Sequence, residues 1–144
     1  MLNPRRQVQY VAALNLPHRL LFGYCFRHSD FPWVAIWEEN QARTVAPWNG
    51  CCQTRGLEFG STPFPVMRRD AFAVSPLFDT PTFSIVPAKG KKTARYFSFL
   101  AQVSEDFGGL RDIQVAKNEV LIRGDGRRSS LRLPATGLAE NGWE

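Results

Sequence analysis

The sequence lacks any apolar run long enough to cross a bilayer as a helix, a task that takes about 20 predominantly apolar residues. A membrane partner is therefore not expected. The apolar stretch that follows Arg5-Arg6 breaks at Asn15 and Pro17, so it reads neither as a signal peptide nor as a twin-arginine signal. Cysteine is sparse: Cys25, Cys51 and Cys52 make an odd count, which supports no disulfide framework. The vicinal Cys51-Cys52 pair has no second pair nearby, so no zinc spacing exists and no metal is expected. Reduced thiols imply a cytoplasmic location. Histidine is scarcer still. His18 lies beside Pro17 in a turn and His28 precedes the Ser29-Asp30 turn signal, and each reads as a surface residue. There is no G-x-S-x-G, no Cys–His signature, no H-E-x-x-H and no phosphate-cradling glycine loop, so no cofactor is expected. Internal repeats, low-complexity linkers and capped amphipathic helices are missing too.

Positive charge is present but dispersed. The net charge is +5, and Arg5-Arg6, Arg68-Arg69, Lys89 to Lys92 and Arg127-Arg128 fall in separate turn-like segments. A nucleic-acid binder concentrates such charge on one face or stripe. These clusters read as solvated loops, and no nucleic-acid partner is expected.

What the chain does contain is alternation. Its 144 residues suffice for one domain with a core. Gln7 to Leu14, LLFGYCFRH from Leu20, FPWVAIWEEN from Phe31, TRGLEFG from Thr54, a short run from Thr82 to Val86, ARYFSFLAQV, RDIQV, EVLIR and SSLRLP alternate in the manner of strands. Gly124-Asp125-Gly126 is the strongest hairpin signal, and MRRDAFAVSPLFDTP reads as irregular. The expected fold is all-β, an antiparallel β-sandwich. Residues 1–144 read as a single domain with residues 1–6 and 135–144 as loose termini, and Trp143 lies too near the end to interpret.

The stretch from Phe31 to Pro65 organises the functional reading. Within TRGLEFG, Thr54, Gly56, Glu58 and Gly60 share one face, while Arg55, Leu57 and Phe59 share the other, which reads as core. Glu58 therefore has no side chain beside it at either i±2 position. Glycine inside a strand often marks close approach of a ligand or of another backbone, so Glu58 is a candidate general base. A solvated glutamate beside a bulge fits the same pattern. Trp33 and Trp37 on one face, with Trp48 in the following loop, are candidates for an aromatic wall against which a sugar's C–H faces lie, with Glu38, Glu39, Asn40, Arg43, Asn49, Gln53 and Arg55 nearby in sequence for its hydroxyls; Trp37, Glu39, Trp48, Asn49 and Arg55 are the binding candidates. Large core residues with satisfied indole N–H groups are the alternative for the tryptophans.

The motifs PW-x-x-x-WEEN, APWN and TRGLEFG-x-x-PFP in this stretch resemble the C-terminal half of galactose-mutarotase-like (aldose 1-epimerase-related) proteins. The resemblance implies the corresponding part of a large antiparallel supersandwich that binds a sugar or sugar derivative. It implies a function as a carbohydrate-binding protein, with interconversion of sugar anomers by Glu58 as general base. The family's general-acid histidine belongs to an N-terminal half that this sequence does not contain, and neither His18 nor His28 sits in that motif. Alternatives are a non-catalytic sugar-binding module, or the remnant of a longer protein that forms a homodimer through unpaired sheet edges.

Overall fold

The alternating runs become strands because each buries one row of side chains while the other row faces outward. In the computed structural model, which describes residues 2–3, 5–126 and 129–143, they form eight strands. These are β1 (Val8–Asn15), β2 (Leu20–Arg27), β3 (Trp33–Asn40), β4 (Gln53–Gly60), β5 (Tyr96–Gln102), β6 (Leu110–Ala116), β7 (Glu119–Gly124) and β8 (Ser130–Pro134). The chain is all-β and its strand pairings are antiparallel. Met1, Pro4, Glu144 and the Arg127-Arg128 pair lie outside the described residues.

The residues gather into two compact units. One comprises Val8–Phe26 and the chain from Tyr96 onward. It contains two three-stranded sheets, β1-β2-β5 and β6-β7-β8, that share one core and so form a small sandwich. Leu21 and Cys25 of β2, Phe99 of β5, Ile113 of β6, and Val120 and Ile122 of β7 meet there, with Phe107 from the β5–β6 connection. Each large side chain so buried contributes about 1.5–3 kcal/mol of transfer free energy. Gly23 and Phe99 are cross-strand partners, and the Phe99 ring occupies the space that a Cβ on Gly23 would need. Gly124-Asp125-Gly126 does end β7 before its partner β8. After Pro134 the chain stays anchored, because Trp143 is buried and packs edge-on against Phe97 at 5.0 Å.

The other unit comprises Arg27–Arg95 with the chain start through Gln7. Its regular part is the β3–β4 ladder, in register from Trp33↔Gly60 to Asn40↔Gln53. Three expectations need correction here. The segment read as irregular contains a six-residue helix, α1 (Arg68–Ala73), which ends ahead of Pro76. Residues 82–86 are not a strand, since they have no ladder partner. Thr82 is instead buried and donates its hydroxyl to the Ala71 carbonyl at 2.6 Å, while Ile85 and Val86 are exposed. The face of β4 read as core is only half-buried at Leu57 and Phe59, and Ile36 across from Leu57 is exposed.

Candidate functional site

Directly paired residues of an antiparallel ladder point to the same side. The register therefore brings Trp33, Ala35, Trp37 and Glu39 of β3 onto one face with Gly60, Glu58, Gly56 and Thr54 of β4. Glu58 faces Ala35, so the side chain across from it is a single methyl. Both flanking indoles stand opposite glycines: Trp33 opposite Gly60 and Trp37 opposite Gly56. A Cβ on Gly56 would lie 3.6 Å from the Trp37 ring atom Cε3 and 3.7 Å from Glu58 Oε1. The carboxylate and the indole thus border the same vacant spot above the glycine.

Glu58 is exposed and lines an open hollow of about 190 Å³ with Ala35, Gly60, Thr62, Phe64 and the prolines at 63 and 65. The hollow follows from the sequence that ends β4, since Gly60 leaves the strand without a side chain and the Ser61 to Pro65 turn folds back beside it. The Thr62 hydroxyl donates to the Phe64 carbonyl at 3.1 Å and helps hold this turn. The volume lies below the roughly 300–1,000 Å³ of drug-sized pockets. A ligand of one ring suits it better than a long chain.

The second cluster lies on the same face toward the other end of the ladder. Trp37 and Trp48 come together, with ring centroids 5.8 Å apart. Beside both rings stands Arg43, which the sequence offers only as one polar neighbour among several. The Arg43 guanidinium carbon is 5.1 Å from the centroid of each ring. Glu39 holds it there. This carboxylate is buried, accepts the Ala42 and Arg43 backbone N–H groups at 2.8 and 2.9 Å through one oxygen, and meets Arg43 Nε at 3.2 Å through the other. The ring faces that meet the guanidinium are therefore covered, and the expected wall is shared with an internal cation. Glu39 serves the loop rather than the open surface.

The remaining candidates lie elsewhere. Arg55 is on the opposite face of the ladder, paired with Glu38 across the strands, and both are exposed. Asn49 is exposed in the β3–β4 connection at a φ of 49°, a left-handed turn conformation that asparagine tolerates. Trp33 is tied down, its Nε1–H donating to the Pro81 carbonyl at 2.7 Å. His18 is exposed. His28 lines a separate hollow of about 320 Å³ with Asp30, Asp79, Ser84 and Lys92, and its Nδ1 is buried without a hydrogen-bond partner. Neither histidine lines the hollow at Glu58. Cys25, Cys51 and Cys52 form no disulfide. Among the described residues no helix is long and apolar enough to cross a membrane, and no group of three metal-ligating side chains converges.

Comparison with family models, with curated proteins and with solved structures returned no match.

Proposed function

We propose that the Glu58 face of the β3–β4 ladder binds a saccharide. The observation that carries this reading is the placement of Glu58: a carboxylate opposite Ala35, flanked by glycines on its own strand, opening into a hollow with Phe64 and two prolines on its wall. Sugar hydroxyls donate to such a carboxylate, while the ring's C–H face lies on the apolar wall. The resemblance to mutarotase-like proteins supports the same reading and adds a reaction. A ring seated with its anomeric hydroxyl on Glu58 gives up that proton to the carboxylate, and the ring then opens and recloses on its other face. An acid that protonates the ring oxygen is required for turnover, so binding is the primary proposal and anomer exchange its extension.

The test is a titration of isotope-labelled protein with neutral and acidic monosaccharides, followed by NMR. Amide shifts at Glu58, Gly60 and Thr62 are expected at millimolar sugar. Glu58→Gln is expected to weaken binding about tenfold, since hydrogen bonds to a charged group contribute about 1.5–3 kcal/mol. Absence of any shift at these amides with every sugar refutes the reading. An anomer-exchange rate in the same tubes that equals buffer refutes the extension alone.

A further inference from the structure

We infer that the hollow at His28 is a second binding site, one that takes an amino-acid-like zwitterion, with Asp30 and Asp79 for its ammonium and Lys92 for its carboxylate. The hollow measures about 320 Å³, at the lower end of the range for small-molecule sites. All its lining residues belong to the unit that contains Arg27–Arg95, and none of them lines the hollow at Glu58, so the inference does not depend on the saccharide reading. Its walls are tied down. The His28 N–H donates to the Gln7 carbonyl at 2.9 Å, and the Asp30 N–H closes a turn onto the Arg27 carbonyl at 3.1 Å. Asp30 Oδ2 also accepts the Arg95 N–H at 3.4 Å. Asp79 belongs to a tight turn in which Leu77 and Thr80 exchange two backbone bonds, each of 3.0 Å. Phe78 and Asp79 have φ values of 49° and 59° there. Turns of this kind favour glycine, asparagine or aspartate at both central positions. A phenylalanine held so is strained, and such strain clusters at ligand sites. The Trp33 Nε1–H bond to the Pro81 carbonyl fastens the turn to β3.

The hollow is lined by opposite charges that do not pair. Among the described residues Lys92 forms no ion pair with Asp30 or Asp79, and its ammonium donates to the Ser84 hydroxyl instead. The Asp30 side chain has one bond, to the Arg95 backbone, and the Asp79 side chain has none. An ammonium and two carboxylates around one space, none neutralised by another, suit a ligand that brings both counter-charges. A ligand with a single charge leaves the opposite group unmatched, and a hydroxyl makes weaker bonds to either than a charged partner does. His28 is a second, independent pointer. Its Nδ1 is buried without a hydrogen-bond partner, and buried polar atoms are rarely left so. A zwitterion satisfies that nitrogen in either tautomer, because Nδ1–H donates to the carboxylate and a bare Nδ1 accepts from the ammonium. Phe83 and the prolines at 32 and 81 give the ligand's carbon chain an apolar wall.

The experiment is an NMR titration of isotope-labelled protein with the zwitterions L-valine, β-alanine and γ-aminobutyrate. Valinamide supplies the cation alone, N-acetylvaline the anion alone, and D-glucose hydroxyls alone. Amide shifts at Asp30, Thr80 and Ser84 are expected with millimolar zwitterion, and the zwitterion that leads gives the separation of the two charges. Valinamide, N-acetylvaline and glucose are expected to bind about tenfold or more weakly. Lys92→Gln is expected to weaken the leading zwitterion about tenfold while valinamide keeps its affinity. Asp79→Asn is expected to weaken the same zwitterion while N-acetylvaline keeps its affinity. Both positions are exposed, and asparagine tolerates the positive φ of residue 79, so neither change disturbs the fold. Absence of any shift with all three zwitterions overturns the inference. So does a single-charge analogue or glucose that binds as tightly as the leading zwitterion, or a Lys92→Gln protein in which every ligand weakens alike. Each of these results leaves the saccharide reading standing, since that ligand is followed at Glu58, Gly60 and Thr62.

Discussion

Removing the Glu39 carboxylate tests the physical basis of the whole loop between β3 and β4. In Glu39→Ala two backbone N–H groups lose acceptors at 2.8 and 2.9 Å, and Arg43 Nε loses a partner at 3.2 Å. A buried donor left without a partner costs about 1–3 kcal/mol. Ala42 and Arg43 are themselves exposed, so water reaches the freed groups and the lower end applies, about 1 kcal/mol each. The ion pair adds less than about 1 kcal/mol, because the Arg43 side chain is half in solvent. Together with the packing of the lost methylenes, the expected destabilisation is about 3 kcal/mol, roughly a hundredfold in the unfolding equilibrium. Glu39→Gln separates the contributions. Its amide oxygen still accepts both backbone N–H groups, while its NH2 replaces the oxygen facing Arg43 Nε and sets donor against donor, so about 1–2 kcal/mol is expected. The assay is urea denaturation followed by tryptophan fluorescence, to which Trp37 and Trp48 contribute along with Trp33 and Trp143. Two results refute the reasoning. If Glu39→Ala falls within about 0.5 kcal/mol of the parent, the carboxylate carries no load in the loop. If Glu39→Gln costs as much as Glu39→Ala, charge rather than backbone satisfaction dominates.

Trp143→Ala removes a buried indole from its contact with Phe97 and is expected to cost about 3 kcal/mol in the sandwich unit by thermal or urea unfolding, with a value under about 0.5 kcal/mol showing an unanchored tail. Gly23→Ala forces a Cβ to within 2.6 Å of the Phe99 ring and is expected to destabilise by about 1–3 kcal/mol, whereas a neutral result shows that the ring moves aside freely. Gly56→Ala meets only ordinary contacts at 3.6 and 3.7 Å, so stability is expected to change by under about 1 kcal/mol while sugar-dependent shifts at Glu58 are lost, and retained binding counts against a ligand above Gly56. β5 ends the sheet β1-β2-β5, and its run YFSFLAQ has no charge or proline to blunt the edge, so copies are expected to self-associate at micromolar concentration in light scattering, with Ser98→Lys reducing the effect and a monomer in the parent refuting it.

Much of this fold was legible because the strands announce themselves by period. β1, β2, β3, β4 and β5 fall within a residue or two of the alternating runs, and the Gly124-Asp125-Gly126 signal marks the end of β7 as expected. The exceptions share a cause. The stretch from Thr82 to Val86 has strand-like residues, but a strand exists only where a ladder partner exists, and partners are not written locally. The isolation of Glu58 was legible too, from the glycines two residues to either side. What sequence could not supply was the register. Only the pairing Ala35↔Glu58 shows that the carboxylate faces a methyl, and only Trp37↔Gly56 shows that the indole and the carboxylate share one gap. Arg43 was hidden for a different reason. Its spacing from Glu39 is the i, i+4 of a helical pair, yet no helix is there. The contact arises because Glu39 is the acceptor for the turn that begins at Ala42, which swings Arg43 back over the strand it just left.

Glycine opposite an aromatic ring occurs in both units, and the distances show that one instance closes a core while the other leaves a gap. At Gly23 the Phe99 ring has moved into the space of the absent side chain, at 2.6 Å from where a Cβ would stand, so the missing side chain is fully used by packing. At Gly56 the Trp37 ring stops at 3.6 Å, and the same ring meets Arg43 and Trp48. The space above Gly56 therefore stays vacant, and Glu58 stands at its border instead of being roofed by an indole. Trp37 has partners on the loop side, Arg43 and Trp48, that Phe99 lacks at Gly23, and those contacts favour a ring position short of the strand, which leaves the carboxylate accessible. On this argument the buried Glu39 carboxylate, by holding Arg43 beside Trp37, bears on the width of the gap that Glu58 borders.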